Sequence, residues 1–177
     1  MTETRITAAN ADRQLRQLYE TAFPREEQIP WGDLMRLTDA MSLDFTAYHD
    51  DGQLVGLTVV YPRKTFNWFW YFAVREELRG RGIGQTIFSR LMDRYKDRAC
   101  ILDMESPRQE CDNAVQRERR YSFYLRNGFR DTGVGRSFDG IDYLIMMKGE
   151  GTFTLHDYDT ILEELKSFWS AMPDAEE

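Results

Sequence analysis

Residues 66–84 constrain the fold of this chain more than any other stretch. Apart from Asn67, every residue of Phe66-Asn67-Trp68-Phe69-Trp70-Tyr71-Phe72 is aromatic, and Ala73-Val74 extend the run. The run is too short to span a bilayer, and aromatic residues favour a pleated, half-buried surface, so it predicts a buried strand. Arg75-Glu76-Glu77-Leu78-Arg79-Gly80-Arg81-Gly82-Ile83-Gly84 follows directly. Beyond it, Ile83, Ile87, Phe88, Leu91, Met92 and Tyr95 recur at the spacing of one helical stripe. A glycine-rich turn therefore stands between a strand and the first turn of a helix. Helix starts carry N–H groups without intrahelical partners and partial positive charge, and glycines remove the Cβ atoms that would hold a ligand off the backbone. A phosphate or pyrophosphate suits such a place. The plainer alternative is a tight strand-to-helix turn.

The flanking sequence predicts a mixed sheet. Residues 10–23 place Leu15, Leu18, Tyr19, Ala22 and Phe23 on one helical face, and Pro24 stops the helix. A loop over Glu26–Gly32 leads to a second helix over about 33–41. Strands are expected at 43–48 and 53–61 across the turn Asp50-Asp51-Gly52, and at 66–74. After the glycine loop and its helix come a short strand over 99–104 and an arginine-rich helix over about 111–126, stopped by Asn127-Gly128. Strands over 129–138 and 141–148 flank Asp139-Gly140, and a last amphipathic helix, over about 155–172, carries Tyr158, Ile161, Leu162, Leu165, Phe168 and Trp169. Three strands in series read as an antiparallel meander, and the strand–helix–strand unit around 66–104 as a right-handed parallel crossover. The expectation is an α/β (α+β) domain over 1–177 with six or seven strands, helices on both faces, a core over about 4–148 and an added C-terminal helix.

Composition narrows the function. Apolar content of 42% and charged content of 30% are those of a soluble globular chain. A net charge of −7 argues against a general nucleic-acid binder, whose phosphate contacts need a basic face. No apolar segment reaches membrane-spanning length, and the first residues lack the order of a signal peptide. Cys100 and Cys111 show neither metal spacing nor a disulfide framework, which fits a cytoplasmic setting. His49 and His156 have no second ligand at metal spacing, so no metal is expected.

The loop lacks the Gly-Lys-Ser/Thr ending of a P-loop, and Gln85 breaks a dinucleotide fingerprint. Read at Arg79, Gly82 and Gly84, the pattern Arg-x-x-Gly-x-Gly resembles the acetyl-CoA signature of the GNAT N-acetyltransferase superfamily. About forty residues on, Phe123-Tyr124-Leu125-Arg126-Asn127-Gly128-Phe129 resembles the second signature of that family, Phe-Tyr-x-x-x-Gly-Phe. The resemblance covers residues 43–147 and implies a fold in which two central parallel strands splay apart to admit pantetheine. It implies that the main chain of Phe72, Ala73 and Val74 holds the pantetheine arm, and that Arg79, Gly80, Arg81, Gly82, Ile83 and Gly84 cradle the pyrophosphate. The implied activity is acetyl transfer from acetyl-CoA to a primary amine.

The resemblance also implies roles. Tyr124 matches the tyrosine beside the thioester sulfur, a general acid whose ordinary acidity is close to that of a thiol. Family members carry an acidic residue near the end of the strand at 99–104. Asp103 and Glu105 share a face there, with Glu105 the first choice as base, acting through water, or else paired with Arg119 or Arg120. The loop from Phe23 to Trp31, with Glu26 and Glu27, would flank an amine acceptor. Arg117 stands where many members have a cofactor-contacting asparagine; Asn113 is near but out of register. Arg117, Arg119 and Arg120 either approach the 3′-phosphate of CoA or are solvated. A non-catalytic acyl-CoA-binding or regulatory module and a different nucleotide-binding protein are the competing readings. The last helix, with Phe168 and Trp169, either caps the sheet or serves a homodimer.

Overall fold

In the computed structural model, which describes residues 1–171, seven strands form one mixed sheet in the order β1-β2-β3-β4-β5-β7-β6. The strands are β1 (Thr2–Arg5), β2 (Asp44–Asp50), β3 (Gln53–Pro62), β4 (Phe66–Val74), β5 (Ala99–Glu105), β6 (Arg130–Phe138) and β7 (Ile141–Lys148). The helices are α1 (Arg13–Ala22), α2 (Trp31–Ala40), α3 (Ile83–Arg94), α4 (Ala114–Arg126) and α5 (Leu155–Ala171). The expected aromatic strand and the strand over 141–148 are found at those bounds. Residue 172, expected to end the last helix, lies outside the described residues.

Two layers of helices cover the sheet. On one face α3 and α4 bury Val60, Phe69, Phe88, Leu91, Tyr95, Leu102, Phe129 and Met146. On the other, α1 and α2 pack over β2, β3 and the far half of β4, while α5 packs on Phe66, Trp68, Ile101, Ile145 and Met147. The added helix is thus part of the core, through Tyr158 and Ile161. Arg63 and Tyr61 bind Glu164 on it.

Three details depart from expectation. β1 is an additional strand, antiparallel to β2. Its Thr-Glu-Thr-Arg sequence has no apolar alternation to announce it, and Glu3 is held by Arg90 and Arg94 of α3. β2 runs past its expected end at 48, so that His49 lies on it opposite Thr2. α4 begins at Ala114 rather than 111, because Asn113 occupies the N-cap with its side chain turned to Cys111 and Glu105 instead of the helix amides.

The central event lies between β4 and β5. They pair in parallel only at Phe66–Ala99, Asn67–Cys100 and Trp68–Ile101. Just beyond, β4 shifts register against β3, Val59 facing Tyr71 and Val60 facing Phe69, so Trp70 is an extra residue. A bulge of this kind bends its strand and breaks side-chain alternation. Trp70 and Tyr71 accordingly lie on the same face and stack, with ring centroids 5.6 Å apart and planes 11° apart.

Phe88 is the packing hub beneath this region, meeting Phe69, Phe72, Phe123, Tyr124 and Phe129 with centroids 5.1–6.2 Å apart. It is 1% exposed. Phe88→Ala is expected to cost about 3–5 kcal/mol in urea unfolding. Leu125→Ala, at an exposed position of α4, should stay within about 0.5 kcal/mol.

Candidate active site

The glycine loop leaves a run of backbone amides bare. After a 3-10 turn at Glu76–Leu78, Gly80 and Gly82 adopt φ of +77° and +81°, a left-handed backbone that side chains with a Cβ rarely take. Gly82 caps α3, and the first amide of the ladder to find a carbonyl is that of Thr86, on Gly82. Among the described residues, the amides of residues 80–85 have no hydrogen-bond acceptor. At Gly80 and Gly82 a Cβ would meet open space, so the surface above the amides is bare. Gly84 faces inward instead, its Cβ position 3.5 Å from the Val74 side chain and 3.7 Å from that of Phe72. Arg79 Nε donates to the Val74 carbonyl at 3.2 Å, tying the loop to the end of β4.

The slot opened by the parting strands leads toward this loop. From Phe69 to Val74 the edge of β4 that faces β5 has no strand partner, while Leu102 to Glu105 pair only with β7. α3 and α4 are fastened beside it by a reciprocal amide pair. Gln85 Nε2 donates to Asn127 Oδ1 at 2.7 Å and Asn127 Nδ2 to Gln85 Oε1 at 3.2 Å. Gln85, the residue that breaks the dinucleotide pattern, is thus used to hold α3 to α4.

Tyr124 packs among Phe88, Phe123 and Phe129, and its hydroxyl makes no hydrogen bond with the described residues. Burial pushes its phenol up to about 12; the Arg120 guanidinium draws it back and the Asp103 carboxylate adds to the rise. The phenol is therefore protonated across the physiological range.

At the end of β5, Asp103 and Glu105 share a face, with Tyr143 of β7 opposite Glu105. Glu105 is buried, and both its oxygens are engaged: Arg117 Nη2 donates to Oε1 at 2.9 Å and Arg120 donates to Oε2. Arg117, 4% exposed, also reaches the Ser106 carbonyl and Gln109, and its Nε is a buried donor without a partner. Arg119 and Arg120 are both exposed, but Arg120 is held by Glu105 while Arg119 takes no part in that pair. Asp103 is held above the usual carboxylate range by burial, with its own backbone amide and Arg136 pulling it down, and receives the Tyr158 hydroxyl at 3.5 Å. Arg136 lies over the Tyr158 ring, 4.4 Å from its centre.

A further carboxylate joins them from the turn between α1 and α2. Glu27 Oε1 accepts from the Tyr143 hydroxyl at 3.1 Å. Burial raises the Glu27 carboxyl, and the Glu105 charge adds to the rise. The family resemblance placed this loop, with Glu26 and Glu27, beside an acceptor, but nothing in the sequence joined Glu27 to Tyr143 or Asp103 to Tyr158. The contacts that join them span 116 residues in one case and 55 in the other, so no local pattern carries them. Among the described residues, no group of His, Cys, Asp and Glu is placed to hold a metal, and no helix is long and apolar enough to cross a membrane.

Comparisons bear on this geometry. The model of an acetyltransferase (GNAT) domain matches residues 42–131. Among solved structures, a protein assigned to the GNAT acetyltransferase family from Bacteroides thetaiotaomicron superposes with TM-score 0.71 at 23% identity, over 98% of this chain and all of that one. A GNAT family acetyltransferase from Elizabethkingia anophelis with acetyl-CoA bound gives TM-score 0.60 at 16% identity, over 84% and 97% of the two chains. The ribosomal-protein-S18-alanine N-acetyltransferase from Escherichia coli gives 0.62 at 15%, over 86% and 99%. At these identities the likenesses establish the fold. The comparison with curated proteins returns no match.

The buried ion pair has a measurable signature. Arg117→Ala removes the buried one of the two arginines on Glu105, leaving Oε1 without its guanidinium partner, and is expected to cost about 3 kcal/mol in denaturant unfolding. Arg119→Ala, at the exposed neighbour, should change stability by less than about 0.5 kcal/mol.

Proposed function

Because the chain belongs to the GNAT acetyltransferases, whose domain model spans residues 42–131, we propose that it moves an acetyl group from acetyl-CoA to a primary amine by direct attack in a ternary complex. The observation that carries the reading is the parting of β4 from β5 beside a run of unpaired loop amides. A ligand that is slender along its arm and anionic at its diphosphate matches both features. In this reading the main chain of Phe72, Ala73 and Val74 holds the pantetheine. Arg79, Gly80, Arg81, Gly82, Ile83 and Gly84 hold the diphosphate, mainly through backbone N–H groups. A free amide of the β4 edge polarises the thioester carbonyl.

Tyr124 supplies the proton that the leaving thiolate needs. An ordinary thiol, near 8.5, is a stronger acid than a phenol raised to about 12. A thiolate in the same apolar slot is disfavoured by the same desolvation, however. Cys100 of this chain illustrates the effect, its thiol pushed up to about 11 by burial. Phenol and thiol therefore remain close in acidity where they meet, and transfer is nearly balanced. Arg120, held by Glu105, favours the phenolate at the moment of transfer. Asp103 and Glu105 shape the amine side of the site, Glu105 by orienting Arg120 and Asp103 by its charge. The Cys100 thiol lies in the paired, buried part of β5 and is not a nucleophile, which supports direct attack over a covalent acyl-enzyme.

Acetyl-CoA should raise the melting temperature, whereas ATP and NAD should not. Gly84→Val, crowding Val74 and Phe72, should remove that stabilisation, and Arg81→Ala should keep most of it. Tyr124→Phe should lower kcat by about 10²-fold in a thiol-release assay, with the calorimetric Kd for acetyl-CoA within about twofold of the parent. Unchanged turnover would remove Tyr124 from the mechanism.

A further inference from the structure

We propose that Glu27, on the turn between α1 and α2, is the group that takes the proton from the incoming ammonium. The proposal rests on the acetyl-transfer reading above and deepens it.

Its first support is rigidity. The turn is clamped from three sides. Tyr71 donates its hydroxyl to the Glu27 carbonyl at 2.6 Å, and Tyr19 both accepts from the Ile29 amide at 2.9 Å and donates to its carbonyl at 3.1 Å. Gln28 donates to the Glu20 and Phe23 carbonyls at 2.9 and 2.6 Å. A surface loop with no task at its tip does not need this many side-chain anchors.

The second support is the free oxygen. Glu27 Oε1 is held by Tyr143, and Oε2 has no donor among the described residues. Glu105 has both oxygens engaged by guanidinium groups, and Asp103 faces Tyr158 and Arg136. Unlike Glu105, Glu27 keeps an oxygen ready to receive a proton, and unlike Asp103 it stands on the turn beside the expected acceptor side.

Electrostatics agrees. An alkyl ammonium near 10.4 and a carboxyl near 4.3 differ by about six units, a gap that burial and the Glu105 charge narrow from the carboxyl side. The charged and titratable groups around Glu27 are Asp103 and Glu105 on β5, Arg120 on α4, Tyr143 on β7 and Tyr71 on β4, with Arg25 and Glu26 on its own turn. Arg120 and the Tyr143 hydroxyl lower its carboxyl, while Asp103 raises it.

The step balances. One ammonium N–H bond breaks and a Glu27 O–H bond forms, leaving a neutral amine whose lone pair makes the C–N bond to the thioester carbon. As the C–S bond breaks, its electron pair stays on sulfur and Tyr124 protonates it. The second proton of the new C–N nitrogen restores the phenol, and the Glu27 proton leaves to solvent.

The test uses a panel of 1,4-diaminobutane, 2-phenylethylamine, an N-acetyl-lysine amide and an Ala-initiated peptide, with thiol release followed against pH for the best acceptor. A base must be ionised to act, so the rate falls as pH drops through its pKa. Glu27→Gln should lower kcat about 10²-fold, abolish that acid limb and leave the Kd for acetyl-CoA within about twofold. Tyr143→Phe removes a donor that favours the ionised form, so the limb should move to higher pH. Carbon-13 NMR of labelled glutamate should show Glu27 titrating above the ordinary carboxylate range and higher still in Tyr143→Phe. Wild-type turnover with a Glu27→Gln rate within threefold, or a limb that Tyr143→Phe leaves in place, overturns the proposal while acetyl transfer stands. A wild type that releases thiol with none of the amines sinks the acetyl-transfer reading, and Glu27 falls with it.

Discussion

Backbone hydrogen bonding between β4 and β5 stops after Trp68 and Ile101, and the rest of the molecule is arranged around that interruption. Unpaired strand edges inside a protein are costly, because each N–H and C=O removed from water needs a partner. Here the outer partners are kept: β3 continues along β4, and β7 continues along β5 to Glu105. Only the inner edges are given up. The bulge at Trp70 provides the bend, and the aromatic rings above and below keep the bent strand fully packed.

Chemistry collects where the strands part because several elements end there. β4 runs into the glycine loop, β5 delivers Asp103 and Glu105, and α4 delivers Arg117, Arg120 and Tyr124. From the opposite side of the sheet come Glu27, Tyr143 and Tyr158. The buried Glu105 carboxylate joins these groups, since its two arginines lie on α4 while its charge is felt at Glu27. Guanidinium, carboxylate and phenol groups are thus gathered at one end of the parted strands.

Much of this was legible in the sequence for local reasons. The aromatic run, the glycine loop and the stripe from Ile83 to Tyr95 each carry their signal within a few residues, and the structure places them as expected. The same holds for a mixed sheet of six or seven strands with a parallel central pair and helices on both faces. β1 was not legible, because a four-residue polar edge strand is specified by its neighbour's open backbone and not by its own pattern. The bulge was equally hidden, since a run that is aromatic on both faces has no alternation to break. Of the candidate site, the loop residues were readable from glycine chemistry and Tyr124 from a motif. The partners of Glu105 were half visible: Arg120 was named, while Arg117 was read as a departure from a cofactor contact and is a buried counter-charge.

The packing of α5 bears on how the protein is made. Phe66, Trp68, Ile101, Ile145 and Met147 present one apolar face that Phe153, Tyr158, Ile161, Leu162 and Leu165 cover. During synthesis every strand of the sheet leaves the ribosome before α5 does. The nascent chain must therefore carry an uncovered greasy surface until α5 emerges, a window in which that surface is open to association.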